Sequence, residues 1–172
     1  MKTATSSATE SRLTTQYVTL GVGEEVFAVE VTRVHEILDL VPIVRLPNAP
    51  GHVLGMIDVR RRAVPGVDLR VKLGLSPTVA TQQSRILVLD VDVGGRTVVL
   101  GLLSDRVYEV TDLADHALEP PPDIGMRWRS DYIRGVGRRG QSFVIIFDLS
   151  RLFSEEDVPL LGDARASEQE GK

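Results

Sequence analysis

Several residue types that carry chemistry are scarce in this sequence. Cysteine is absent, which excludes disulfide bonds, thiol catalysis and cysteine-ligated zinc sites. The three histidines, His35, His52 and His116, lie far apart along the chain, so a histidine metal site would need all of them to converge. Aromatic residues make up 5% of the chain, which disfavours a platform for stacking bases. No apolar run approaches the roughly 18 residues that a transmembrane helix needs.

The length and charge are those of an ordinary globular domain. The chain has 172 residues, of which 42% are hydrophobic and 26% are charged. Its net charge of -4 gives the chain as a whole no attraction toward nucleic acid or anionic membranes. Residues 1–15 and 158–172 are polar and are expected to be flexible tails around a domain at residues 16–157. Because no apolar signal segment is present, we expect a cytoplasmic protein.

Motifs for catalysis and metal binding are also missing. There is no Gly-x-Ser-x-Gly nucleophile turn, and Ser104-Asp105 has no histidine placed to serve it. The segment from Asp90 to Gly95 resembles the start of a calcium loop, but Gly101 stands where such a loop needs a glutamate. We therefore expect no enzymatic activity, no catalytic residue, no metal site and no cofactor.

Strand signals dominate the chain. Three hairpins are predicted, each with two β-prone runs around a turn that contains glycine, at residues 18–31, 86–103 and 132–147. Short strands at this density, with few helices, are typical of small closed β-barrels, in which closure removes exposed sheet edges.

Helical signals are short. They cover residues 32–38, 69–73 and 149–153, with Thr32, Asp68 and Asp148 as the capping residues. In the first of these segments Val34 and Ile37 are three positions apart, so both would face the core from one side of a helix.

The two halves of the chain resemble each other. Residues 33–40 match residues 106–113 at an offset of 73, and residues 53–56 match residues 133–136 at an offset of 80. This order predicts two copies of one small β unit. Each half is near the lower size limit of a stable domain, so the halves are expected to pack side by side, share apolar surface and leave a binding groove between them.

Arginine clusters offer an alternative function. The triplet from Arg60 to Arg62 and the segment from Arg134 to Arg139 occupy equivalent positions in the two halves. A nucleic-acid-binding β-barrel would need these clusters to merge on one face, whereas a solvated hairpin tip would not. In an extended segment Arg60 and Arg62 would share one face and Arg61 the other. Trp128, which follows a proline run, is expected to cover the barrel rather than to anchor a ligand.

A longer series of motifs resembles the CheW family of bacterial chemotaxis coupling proteins over residues 16–157. The matching segments, in chain order, are Val34-His35-Glu36-Ile37, Gly55-Met56-Ile57-Asp58-Val59-Arg60, Val64-Pro65-Gly66-Val67-Asp68-Leu69-Arg70, Gly101 to Val107, Tyr132-Ile133-Arg134-Gly135 and Phe147-Asp148-Leu149.

The resemblance implies a fold, a function and partners. The fold would be mainly β, with two five-stranded SH3/OB-like barrels packed side by side and short helices. The function would be that of a non-enzymatic scaffold that couples the cytoplasmic tips of transmembrane, methyl-accepting chemoreceptors to the histidine kinase CheA. The regulatory domain of the kinase is itself CheW-like, and CheW copies and kinase domains would join in rings. The receptor's helical tip would lie in the groove between the barrels. The implied partner-binding residues are Val34, Glu36, Gly55, Arg60, Gly101 and Val107.

The sequence departs from the family pattern beside Arg60. Arg61 stands where the family usually has glycine, Asp58 replaces an asparagine, and Gly66 replaces an apolar residue. If the turn requires a positive φ at Arg61, a residue other than glycine costs about 1 kcal/mol there. The altered charge beside Arg60 predicts a partner specificity different from that of other family members.

Overall fold

A computed structural model describes residues 14–120 and 130–153 of the chain. Most of both predicted tails, and Trp128, lie outside these residues. The strands are β1 (Thr14–Val22), β2 (Glu25–Glu30), β3 (Val34–Leu38), β4 (Ile43–Val44), β5 (Val53–Val59), β6 (Arg62–Asp68), β7 (Arg85–Val93), β8 (Arg96–Ser104), β9 (Arg106–Ala114), β10 (Ile133–Arg139) and β11 (Ser142–Phe147). The helices are α1 (Leu69–Lys72) and α2 (Leu149–Leu152), with 3-10 turns at Val31–Arg33, Asp115–Ala117 and Ser130–Tyr132.

The strands form two sheets. Sheet A has five strands in the order β10-β11-β2-β1-β9, and sheet B has six in the order β3-β7-β8-β6-β5-β4. The predicted mainly β class and all three predicted hairpins are confirmed, and β5 and β6 form a further hairpin. Closure into barrels stays a prediction, because the strand pairing runs from one edge strand to another in each sheet.

The repeat is present in the order of the strands along the chain, but the first hairpin of each repeat pairs with strands of the other repeat. The order of hairpin, third strand and second hairpin occurs twice. The hairpin β1–β2 joins β9 and β11 of the second repeat, and the hairpin β7–β8 joins β3 and β6 of the first. Each sheet therefore takes strands from both halves of the chain. A single residue, Asp105, separates β8 from β9, which is too short to turn the chain back into a hairpin.

The first predicted helix is wrong, whereas the other two are confirmed. Only the turn at Val31–Arg33 is helical, and the following residues form β3, which pairs with β7. In a strand Val34 and Ile37 point to opposite faces, and Ile37 is 42% exposed, so their predicted common core face is also wrong. Sheet pairing with a distant strand has overridden the weak local preference for a helix.

The buried apolar residues form three clusters. The largest draws on both sheets, so the predicted sharing of apolar surface is confirmed. In it the rings of Phe27 and Phe147 stack at a centroid distance of 4.6 Å, and Leu100 is fully buried. Two smaller clusters belong to one sheet each, around Ile57 in sheet B and around Tyr17 in sheet A.

Candidate partner-binding site

An exposed ion pair lies at the tip of the β5–β6 hairpin. The Nε of Arg60 donates to Oε2 of Glu36 at 2.7 Å. The pair joins this tip to β3, at the opposite edge of sheet B, which shows that the sheet curls back on itself. The arginine side chain is 82% exposed and that of Glu36 is 21% exposed. An ion pair in this environment contributes at most about 1 kcal/mol to stability, so its main effect is to fix the guanidinium at the surface.

A cavity of about 330 Å³ adjoins this ion pair. Its apolar side chains come from Val59, Val64, Val88 and Val99, and its polar ones from His35, Glu36, Arg60 and Arg62. The Nε2 of His35 lies 2.8 Å from Oδ1 of Asp90. An apolar floor within a charged rim suits a protein segment that presents apolar side chains.

Two of the six residues implied by the resemblance are buried glycines. Gly55 and Gly101 lie in one row across sheet B, each paired with Gly66 of the intervening strand β6. Gly55 has φ 143°, and a Cβ built on it would lie 2.1 Å from the carbonyl oxygen of Val44. A Cβ on Gly101 would lie 2.7 Å from Cδ1 of Ile57. Both glycines therefore allow close packing inside the protein, and substitutions there act through the fold.

Two further residues implied by the resemblance, Val34 and Val107, occupy equivalent positions at the start of β3 and β9. Each is partly buried and packs against the core that the two sheets share. The structure thus brings Glu36 and Arg60 into contact and sets Gly55 and Gly101 in the same sheet, while Val107 belongs to the other sheet. The predicted groove between the sheets stays a prediction.

A related ion pair lies beside the tip of the β10–β11 hairpin in sheet A. Arg139, at the end of β10, pairs with Glu109 on β9. The neighbouring Phe143 is 56% exposed, and the guanidinium of Arg138 lies 4.9 Å from its ring centroid. The match of residues 33–40 with residues 106–113 makes Glu36 and Glu109 equivalent, and both lie on strands, β3 and β9. Sequence reasoning missed Phe143, which pairs with Arg138 across the β10–β11 hairpin.

The β5–β6 turn contains two left-handed arginines. Arg60 has φ 52° and Arg61 has φ 67°, the pattern of a type I′ turn. The β7–β8 hairpin makes the corresponding turn with Gly94 at 59° and Gly95 at 80°. The turn therefore does require a positive φ at Arg61, and this arginine carries the strain that a glycine would avoid.

The chain passes between the sheets twice, from β2 to β3 and from β8 to β9. Polar side-chain contacts that the sequence did not reveal lie at both places. Oδ2 of Asp105 accepts hydrogen bonds from the Gly23 amide at 2.7 Å and from Nη1 of Arg70 at 2.8 Å. At the other crossing Arg33 pairs with Asp92 at 3.0 Å. The Thr97 hydroxyl, which donates to Asp92 at 2.6 Å, and the Arg33 guanidinium hold the pKa of Asp92 below its usual value.

The arginine clusters do not form the single basic face that nucleic-acid binding would need. The clusters lie in different sheets, and several of their members are paired with carboxylates, as Arg134 is with Glu30. The nucleic-acid alternative is therefore not supported. Within residues 14–120 and 130–153 no group of three or more His, Asp and Glu residues could hold a metal ion. In the same ranges no helix is long and apolar enough to cross a membrane.

Comparisons with known proteins agree with this architecture. A family model described as a CheW-like domain matches residues 16–157. The chain is 30% identical over 142 residues to the chemotaxis protein CheW of Rhizobium meliloti, covering 83% of this chain and 89% of the relative. It is 26% identical over 152 residues to the chemotaxis protein CheW of Klebsiella aerogenes, covering 88% of this chain and 89% of the relative. The crystal structure of the scaffolding protein TtCheW from Thermoanaerobacter tengcongensis is similar with a TM-score of 0.71 and 27% identity, covering 81% of this chain and 87% of that one.

Proposed function

This chain belongs to the CheW family, and from that premise we propose that it is a non-enzymatic scaffold that couples transmembrane chemoreceptors to the histidine kinase CheA in bacterial chemotaxis. The family match over residues 16–157 carries the proposal. The solved relative is named a scaffolding protein, which supports a binding role rather than a catalytic one. The protein would work on the cytoplasmic side of the membrane, where the receptor tips and the kinase meet.

The proposed receptor contact is the exposed ion pair of sheet B with the cavity beside it. Arg60 is exposed and already oriented by Glu36, so binding a partner costs little further side-chain ordering. Val34 and Val107 would add apolar contacts beside the core that the two sheets share. Gly55 and Gly101 would contribute by keeping the sheet closely packed.

The second ion pair, between Arg139 and Glu109, gives sheet A a surface of similar design. A scaffold needs at least two surfaces, and the internal repeat supplies two related ones. The CheW-like regulatory domain of the kinase is the proposed partner elsewhere on the molecule, and kinase domains and copies of this chain would alternate in rings.

Replacing Arg60 with alanine is expected to weaken binding of the receptor tip about tenfold or more, which corresponds to about 1.4 kcal/mol or more of binding free energy. The free energy of unfolding should change by less than about 1 kcal/mol, because the ion pair is exposed. The dissociation constant for a receptor-tip fragment from the same organism, measured by calorimetry, checks the first expectation, and urea unfolding checks the second.

Arg151→Ala is the matched control, because Arg151 also forms an exposed ion pair, with Asp148 at 3.6 Å. This variant should bind the receptor tip as the wild type does. Equal affinity of Arg60→Ala and wild type would remove the proposed contact. A wild-type protein that binds neither the receptor tip nor the kinase domain at micromolar concentration would overturn the function itself.

A further inference from the structure

We propose that Arg61 is a specificity-determining residue, and that it forms with Arg62 the basic rim of a second cavity that binds an acidic, apolar segment of a protein partner. This inference rests on the proposed function, because the partner it concerns is the receptor tip that contacts Arg60.

The cavity lies on the other side of the β5–β6 hairpin from the Glu36–Arg60 pair. It has a volume of about 430 Å³ and is lined by Val44, Met56, Ile57, Asp58, Arg61, Arg62 and Ala63. Val44, on the short edge strand β4, is 70% exposed. An exposed valine and a half-buried methionine beside uncompensated charges favour an occupant with apolar side chains.

The charges at its rim favour a negative occupant. In the part of the chain that the structure describes, neither Arg61 nor Arg62 makes an ion pair or side-chain hydrogen bond, whereas Arg60 is paired with Glu36. Two uncompensated guanidinium groups outweigh the single carboxylate of Asp58 on the same cavity. Guanidinium groups bind carboxylates with two parallel hydrogen bonds, so a Glu or Asp of the partner is the fitting counterpart.

The backbone at Arg61 gives an independent reason to assign it a role. Its left-handed conformation is strained for any residue with a side chain, and the β7–β8 hairpin avoids this strain with two glycines. Arg60 in the same turn has φ 52°, and strained backbone of this kind clusters at functional sites. Arg62 lines both the cavity beside Glu36 and the cavity beside Val44, so the two surfaces meet at this residue and one partner would contact both.

The test separates the strain from the charge. Arg61→Gly is expected to raise the thermal midpoint by about 2–4 °C, because glycine accepts the left-handed conformation. The same variant should bind the receptor-tip fragment about tenfold more weakly at low salt, and the difference from wild type should shrink as added salt screens the charges. Arg61→Lys, which keeps the charge, should lose less affinity than Arg61→Gly.

Gly95→Arg is the matched control for strain. Gly95 has φ 80° in the corresponding turn, and an added Cβ would meet no atom within 4 Å, so this variant adds a left-handed arginine without a clash. It should lower the thermal midpoint by an amount similar to the gain in Arg61→Gly and leave receptor affinity unchanged.

Three outcomes would overturn the inference. If wild type binds the receptor tip and Arg61→Gly binds it equally well, the inference is wrong and the proposed function stands. If Arg61→Gly weakens binding to an oligonucleotide instead, the cavity serves nucleic acid rather than a protein segment. If wild type binds neither the receptor tip nor the kinase domain, the inference fails together with the proposed function.

Discussion

Replacing Gly55 with alanine is expected to lower the free energy of unfolding by more than about 3 kcal/mol, because two penalties add at this position. The residue has φ 143°, a conformation that side chains rarely adopt. The new Cβ would also lie 2.1 Å from the backbone oxygen of Val44, which cannot move away without breaking the pairing of β4 with β5. Urea unfolding followed by circular dichroism measures the loss.

The neighbouring Gly66 provides the control for this experiment. It pairs directly with Gly55 in β6, but a Cβ there would meet its nearest atom at an ordinary 3.6 Å. Gly66→Ala should therefore change stability by less than about 1 kcal/mol, and with either sign. Equal midpoints for the two variants would contradict the assignment. If the expected contrast is found, a defect in partner binding caused by a change at Gly55 reports a damaged sheet rather than a lost contact.

Replacing Asp68 with alanine is expected to cost about 2–4 kcal/mol, because a buried carboxylate that accepts three hydrogen bonds is removed. Asp68 is 1% exposed. Its Oδ1 accepts from the Arg70 amide at 3.0 Å, which caps α1, and from the Thr78 hydroxyl at 2.7 Å. Its Oδ2 accepts from the Thr78 amide at 2.9 Å, which fastens the chain after α1. Thermal and urea unfolding of the variant measure this loss.

The repeat supplies the control variant, Asp148→Ala. Asp148 holds the equivalent position before α2 but makes no side-chain capping hydrogen bond, and its ion pair with Arg151 is exposed. Its replacement should cost less than about 1 kcal/mol. A loss at Asp148 as large as that at Asp68 would show that the position matters for a reason other than these hydrogen bonds.

Local signals were sufficient to predict the three hairpins and, of the three predicted helix caps, the one at Asp68. A glycine turn between two β-prone runs fixes a hairpin within a few residues, and Asp68 directly precedes the helix that it caps. The same reasoning failed for β3, which was predicted as a helix, and gave no strand at β9; the pairing partners of both strands are distant in sequence. Val34 pairs with Leu89 and Val18 with Val110, and pairing of this kind leaves little trace in the local pattern.

The candidate site was predicted only in part, because its residues meet through pairing between strands that are distant in sequence. The repeat offsets identified Glu36 and Glu109 as equivalent, and the resemblance pointed to Arg60. That each glutamate meets an arginine of a hairpin tip depends on how the sheets curl, which no local pattern records. The sequence predicts strain at Arg61 only if the turn requires a positive φ there, and the backbone geometry shows that it does.

The exchange of hairpins also constrains the order in which the chain folds during synthesis. Thr14 of β1 pairs with Ala114 of β9, and Phe27 of β2 pairs with Ile145 of β11. The first hairpin therefore leaves the ribosome long before either of its neighbouring strands exists, and sheet A is complete only after β11 has been synthesised. Such non-local pairing slows folding and leaves strand edges open to aggregation in the meantime. A nascent chain that stalls after β8 has made all of sheet B's strands while its first hairpin still lacks both neighbours.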